Sequence, residues 1–456
     1  MIPATQRSLA GSFLITLNFK QNLVSLNRFC GWTSIEFTNS QCPPDSAQAE
    51  KNPKNFRQKT EMFKKLIDNK KLGGVNCIIW KDGQVVYQES FGYKNLETYE
   101  LMTTDTLFRI ASMTKPITSV LAMMLYEEKK LNLHDPITKW FPQFRNMKVL
   151  KNQAGEYEDA NRLITILDLL THRAGFTYSG FQGGKLKDDY IKILGGDIDT
   201  ELTNEQWVNG LACLPLVSQP GEIFNYGKST DLLGILISTI EGKSLGKIME
   251  EKIFNPLAMT DTFFNVPNNK RNRRASNIGY DESGNLVNLE TVPSKMAFKE
   301  RPGDLEFESG SGGLWSTMGD YLKFAKLFVE NGSSDGIQIL KQETKDLMCS
   351  NHLTPTQRQH SKLMGTPLFK DNFGFGLGVA VVVTENPYLS IPCTGSVGSV
   401  GWPGAYGGWW SADPVKKSIA IFLTHSMTEL SQLAQGIGFE LYEAIDIFSN
   451  YSKENI

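Results

Sequence analysis

The spacing of apolar positions changes several times along the chain, and each change marks an element. FRQKTEMFKKLIDNKKLGG (56–74) repeats its apolar residues at helical intervals and stops at Gly73-Gly74, a C-cap signal. VNCIIWKDGQVVYQESFGY (75–93) holds two β-rich runs around Asp82-Gly83 and predicts a hairpin. ITSVLAMMLYEEKKLNL (117–133) predicts a long helix, with Pro116 placed in its first turn. From about 130 to 365 the pattern is mostly helix and loop. The helical candidates there are LITILDLLTH, DLLGILISTIEG, LGKIMEEKIF, DYLKFAKLFVENG and KQETKDLMCS. Strand character returns in FGFGLGVAVVV (373–383), YGGWWSAD (406–413) and KKSIAIFLTH (416–425), and TELSQLAQGIGFELYEAIDIF (428–448) predicts a closing helix.

Two strands thus come from the N-terminal side and three from the C-terminal side, enclosing a helical block. The expected architecture is α+β: one antiparallel sheet of about five strands, flanked by the terminal helices and split by a large, mostly helical insertion. Residues 56–115 and 366–456 form the sheet region in this scheme, and 116–365 the helical region. Residues 1–55 lack durable periodicity and contain Pro43-Pro44, so they are expected to form a poorly ordered extension.

Composition narrows the function classes. The chain has 456 residues and a net charge of −2, so no overall basic field recruits nucleic acid or acidic lipid. The basic run Lys270 to Arg274 (KRNRR) is short and is expected to be a solvated loop. Six cysteines without a CxxC make neither a disulfide scaffold nor a zinc ribbon. Five scattered histidines form no HExxH, and His172 and His425, each among apolar neighbours, read as structural. No metal or cofactor is expected. No apolar run reaches the roughly 20 residues of a membrane helix. The acid-poor N-terminus has no clear secretory cleavage site. A cytoplasmic location is expected, with an organellar transit peptide left open.

Two serines compete for the chemistry. Gly242-Lys243-Ser244-Leu245-Gly246 matches the G-x-S-x-G of a nucleophile elbow, and Ser244 also begins an S-x-x-K with Lys247. An elbow needs a buried strand before it, but DLLGILISTIEG has helical spacing. Gly242 therefore reads as a C-cap and Ser244 as the N-cap of the next helix. Ser112-Met113-Thr114-Lys115 instead precedes a long helix, near free N–H groups and the positive end of the dipole. Lys115 follows by one turn on the same face. A lysine serves as base only when neutral near pH 7, a shift of about 3 units, which burial and nearby positive charge can supply. GEIFNYGKSTDLLG places Tyr226 in a loop before a helix, as a candidate proton relay. GWPGAYGGWW (401–410) opens a strand where Gly404 lets a substrate lie against the backbone and a backbone N–H can complete an oxyanion hole with that of Ser112.

Together these segments resemble the serine β-lactamase and penicillin-binding-protein-like superfamily over residues 60–445. FRIASMTKPITSVLAMMLYEEKKLNLHDPI resembles its nucleophile helix. LLTHRAGF, PGEIFNYGKSTDLLG, EKIFNPLAMTDTFF and GSGGLWSTMGDYLKFAKL follow in the family's order. Within the superfamily the chain looks closest to the family VIII carboxylesterases. Where β-lactamases carry Lys-Thr-Gly to hold a substrate carboxylate, this chain has Trp402-Pro403-Gly404, with neither cation nor hydroxyl. The family's Tyr-x-Asn is Tyr226-Gly227-Lys228; Lys228 either helps depress the Lys115 pKa or points to solvent. The resemblance implies a serine hydrolase of small uncharged esters. Ser112 is the nucleophile, Lys115 and Tyr226 move its proton, and the N–H groups of Ser112 and Ala405 hold the oxyanion. Trp402, Gly404 and Lys228 line the substrate site. An acyltransferase, a peptidase or weak β-lactamase, and a non-catalytic binding homologue stay open as alternatives, as does the oligomeric state. An α/β-hydrolase built on Ser244 is the rival from another fold.

Overall fold

The computed structural model describes residues 53–152, 155–289, 301–363, 366–369, 371–384, 392–428, 432 and 435–454. The extension expected over 1–55 lies outside the described residues except for its last three, which open helix α1 (Pro53–Asp68). The α+β architecture is present. One antiparallel sheet is built from β1 (Gly74–Lys81), β2 (Gln84–Asn95), β3 (Glu100–Leu101), β4 (Phe373–Phe375), β5 (Ala380–Val382), β6 (Val400–Gly401), β7 (Trp409–Asp413) and β8 (Ser418–Thr424). Their spatial order is β4-β5-β6-β7-β8-β1-β2-β3. The two ends of the chain meet at its centre, where Ile79 of β1 stands opposite Ala420 of β8.

The centre of the sheet is buried on both faces, which explains why β1 and β8 read as nearly continuous apolar runs rather than as alternating ones. Cys77, Ile79, Trp409 and Phe422 point to one side, where Phe63 of α1 and Leu441, Ile445 and Phe448 of the C-terminal helix cover them. Ile78, Trp80, Trp410 and Ile421 point to the other, into a larger core shared with the helical region. That core contains Met113, Ile117, Val120 and Leu121 of α2 (Thr114–Glu127) and of the turn before it, and Leu232, Leu233 and Leu236 of α3 (Ser229–Glu241). Pro116 sits in the first turn of α2, where its missing N–H costs no hydrogen bond.

The sheet is longer than the five strands expected. FGFGLGVAVVV is not one strand but the hairpin β4–β5, in which Phe375 pairs with Ala380. Gly378 turns the chain there at φ +87, a conformation that disfavours any side chain. The turn signal was hidden inside an apolar run. Two helix ends also move. α1 stops at Asp68, with Lys70 rather than Gly73-Gly74 taking the left-handed backbone at φ 54. The closing run is broken by Gly436 and Gly438 at positive φ, and its last part forms helix α5 (Phe439–Glu454); residues 429–431 and 433–434 lie outside the described residues. Here α4 denotes Leu245–Met249. Among the described residues no helix is long and apolar enough to cross a membrane.

The basic run is not simply solvated. Lys270 and Arg273 reach Asp261 at 2.8 and 2.7 Å, so part of its charge is matched within the chain.

Candidate active site

Ser112 stands at the junction of a two-stranded ribbon and α2. Phe108 and Arg109 pair with Ser316 and Trp315, and the Ile110 N–H continues the ladder to the Leu314 carbonyl. The chain then turns through a single 3₁₀ turn, Ala111–Met113, straight into α2. Ala111 holds φ 43, a left-handed backbone for a buried non-glycine residue. Such strain costs roughly 1–3 kcal/mol and persists only where the surroundings enforce it. Leu314 N–H to Thr114 Oγ1, 3.3 Å, and Tyr321 O–H to the Met113 carbonyl, 3.0 Å, are two of the restraints.

Lys115, one helical turn on, is 1 % exposed. Its Nζ lies 3.0 Å from Ser112 Oγ and 2.9 Å from the Ser311 carbonyl oxygen. Burial is the main reason its pKa falls from 10.5 to about 7. Asp231 opposes that fall, the Lys228 ammonium adds to it, and Asp197 opposes it again. An amine that is neutral near pH 7 keeps donating to Ser311 and has a lone pair for the Ser112 proton.

Tyr226 completes the group. Its O–H donates to Ser112 Oγ at 2.7 Å. The Trp402 indole N–H, which can only donate, reaches the same phenol oxygen at 3.0 Å. The Tyr226 proton is therefore directed at Ser112. Burial raises the Tyr226 pKa well above its usual value, so the phenol is neutral. Tyr178, Phe181, Phe224 and Trp402 surround its ring. Gly227 is needed next to it for a different reason. A Cβ there would lie 2.4 Å from Thr177 Cα and 2.5 Å from the Phe176 carbonyl oxygen, so any side chain would push the tyrosine loop off that strand of backbone.

Of the residues singled out in the sequence, Ser112, Lys115, Tyr226 and Trp402 come together, with Lys228 behind them. Lys228 does not point to solvent. It is 1 % exposed, and its ammonium is held by the Asp197 carboxylate at 3.1 Å and the Asp197 carbonyl at 2.9 Å. Trp402 is also buried, and its indole edge is engaged by Tyr226. Gly404 belongs to the turn between β6 and β7. A Cβ on it would lie 2.5 Å from the Ile110 carbonyl oxygen, which puts this turn against the segment leading into Ser112. Ala405 is exposed at the tip of that turn.

Sequence reasoning missed Ser311, Tyr178, Asp197 and Asp231. Ser311 acts through a backbone carbonyl, which leaves no residue-type signal. Asp231 left only the signal of an acidic residue in a first helical turn, which the helix dipole alone accounts for. His172 and His425 are both buried, as structural histidines are. Burial, with Lys115 nearby, holds His172 well below its usual pKa, and burial brings His425 to about 4.

Ser244 lies elsewhere and is built differently. The residues before it form α3, capped by Gly242 at φ 68, not a strand. Ser244 is exposed and its side chain caps α4 by accepting the Lys247 N–H at 3.3 Å. Lys247 directs its ammonium to Glu250, 3.1 Å away. A cleft of about 610 Å³ does run beside Ser244, lined by Phe141, Asn204, Lys243 and Glu308 among others, and none of Ser112, Lys115 and Tyr226 lines it. Volume alone does not activate a hydroxyl; at Ser112 a buried amine and a phenol both lie within hydrogen-bond reach of the oxygen. Among the described residues no three His, Cys, Asp or Glu side chains gather at metal-binding spacing.

Residues 60–439 match the beta-lactamase family model. The chain belongs to the beta-lactamase family. Protein Rv1367c of Mycobacterium tuberculosis is 36 % identical over 372 residues, 81 % of this chain and 90 % of that protein. Esterase EstB of Burkholderia gladioli is 25 % identical over 382 residues, again 81 % of this chain and 90 % of its own length. The solved structure of EstCE1, a hydrolase with promiscuous acyltransferase activity, superposes with a TM-score of 0.70. It covers 87 % of this chain and 99 % of that one at 24 % identity, a likeness of fold. The beta-lactamase family member described here is a serine hydrolase.

Proposed function

We propose that the protein cleaves small uncharged carboxylic esters through an acyl-enzyme on Ser112. The observation that carries this reading is the placing of Ser112 Oγ within hydrogen-bond reach of two groups at once, an amine that is free near neutral pH and a neutral phenol. Ser112 attacks the ester carbonyl and its proton passes to Lys115 Nζ. The oxyanion is held by the Ser112 N–H and that of Ala405. Tyr226 gives its proton to the departing alkoxide, and the Lys115 ammonium returns one to it through the water that takes the alcohol's place. A water then attacks the acyl group by the same route in reverse, and Ser112 is restored.

The name of the relative EstB supports an ester as substrate. So does the wall at Trp402-Pro403-Gly404, which has neither a cation nor a hydroxyl to hold a carboxylate. Losing one hydrogen bond to a charged group costs about 1.5–3 kcal/mol, or roughly 10- to 100-fold. The expected result is that p-nitrophenyl butyrate is turned over with a kcat/KM at least about tenfold above that for nitrocefin, whose carboxylate finds no partner. Equal turnover of the two would overturn the ester assignment. Acyl transfer is favoured as a second reading by the aromatic side chains Tyr178, Phe181 and Trp402 around Tyr226, which suit an apolar alcohol better than water. Butanol ester formed alongside free acid would reveal it.

A further inference from the structure

Lys115 has more charge around it than proton transfer itself requires. α3 and the Lys228 that precedes it bring Asp231 and Lys228 to its side and the loop after Gly196 brings Asp197, while Tyr178, Tyr226 and His172 also face it. Asp231 is fully buried. Its Oδ1 accepts the Ser309 O–H at 2.6 Å and the Ser311 N–H at 3.2 Å, and its Oδ2 has no hydrogen-bond partner among the described residues. The hydroxyls of this turn all run toward it. Tyr178 donates to Ser311 Oγ at 3.0 Å, Ser311 Oγ lies 3.2 Å from Ser309 Oγ, and Ser309 donates to the carboxylate. The same Ser311 offers its carbonyl to Lys115 Nζ at 2.9 Å.

A buried carboxylate needs a counter-charge. Lys228 is already engaged by Asp197 at 3.1 Å. Of the charged groups acting on Lys115, Asp231 has the largest effect, and it favours the protonated amine.

We propose that Asp231 is a positioning residue for Lys115: it clamps the Ser309–Ser311 turn whose carbonyl orients the amine, and its negative charge, balanced against Lys228, sets the pH at which that amine becomes a free base. The inference rests on Lys115 being the base that accepts the Ser112 proton. Only the neutral amine is active, so activity rises with pH through the Lys115 pKa. A nearby anion stabilises the ammonium and moves that rise to higher pH; a nearby cation moves it to lower pH.

The test is the pH dependence of kcat/KM for p-nitrophenyl butyrate in wild type, Asp231→Asn and Lys228→Met. The amide oxygen of Asn can still accept from Ser309 and Ser311, so Asp231→Asn removes charge and keeps the clamp. Its acidic limb is expected at lower pH, raising the ratio of kcat/KM at pH 6 to that at pH 8 about three- to tenfold. In Lys228→Met the limb is expected at higher pH, and that ratio falls. A merely structural role would lower the plateau and leave both limbs in place. An unmoved limb in folded Asp231→Asn, or limbs that move the same way in both variants, would overturn the proposal. If Asp231→Asn does not fold, Lys228→Met decides alone: an upward move supports the charge balance and an unmoved limb refutes it. A wild-type limb that survives in Lys115→Met overturns the base assignment instead, so the two failures are distinguishable.

Discussion

Ser112→Ala is expected to leave a folded protein that no longer turns over p-nitrophenyl butyrate, with kcat lowered by about four orders of magnitude or more. Ser244→Ala is expected to retain the wild-type rate. The difference follows from what each hydroxyl touches. Ser112 Oγ has Lys115 Nζ at 3.0 Å and Tyr226 Oη at 2.7 Å, so removing it takes away the hydroxyl that the proposed base and relay both reach. Groups that act as a unit lose nearly everything when one member is removed. The fold survives because the restraints on this turn, Leu314 to Thr114 and Tyr321 to Met113, do not involve the Ser112 side chain. Ser244 caps α4 and its side chain also interacts with Glu308, so its loss costs about 1 kcal/mol of stability and no chemistry. Side-by-side rates with circular dichroism of each variant check both halves.

The second large effect joins activity to stability with opposite signs. Lys115→Met is expected to lower kcat/KM by about 10²- to 10⁴-fold, the usual contribution of a positioned base, and to abolish the acidic limb near pH 7. The same variant is expected to be more stable than wild type at neutral pH. Burial lowers the folded pKa from 10.5 to about 7, so between those values the unfolded chain binds the proton more tightly than the folded one does. Wild-type stability therefore rises with pH across that window, and the cost of burying the lysine is greatest at and below its lower end. A methionine of similar length fills the site without a charge to desolvate. Urea midpoints at pH 7 and pH 9 measure this: the gap between variant and wild type should narrow at the higher pH. A less stable and equally active Lys115→Met would contradict both expectations.

Much of this fold was legible where apolar runs were long and bounded by turn signals. VNCIIWK and SIAIFLT meet that condition, and they pair at the centre of the sheet. The far edge was not, because β4, β5 and β6 are two or three residues long and glycine interrupts them. The site divides in the same way. Ser112 and Lys115 are three residues apart on a helix start, so their meeting is a local consequence of helix geometry. Tyr226 stood out as an aromatic in a glycine-flanked loop. The Ser311 carbonyl reaches Lys115 across 196 residues of chain, and no spacing rule links them. Trp402 was legible as an apolar wall, but an indole N–H directed at a phenol depends on how β6 and the Tyr226 loop are folded together. Lys228 was ambiguous for a similar reason. Only the fold brings Asp197 to it and turns a charged residue inward.

The central claim is that the acyl group passes through Ser112. The direct measurement is to mix the protein with p-nitrophenyl butyrate, quench with acid within the first turnovers, digest, and weigh the peptides. A single butyryl group on the peptide that carries Ser112, absent from Ser112→Ala, is the predicted result. Turnover that continues with no label on that peptide, or with the label on the peptide that carries Ser244, would contradict it.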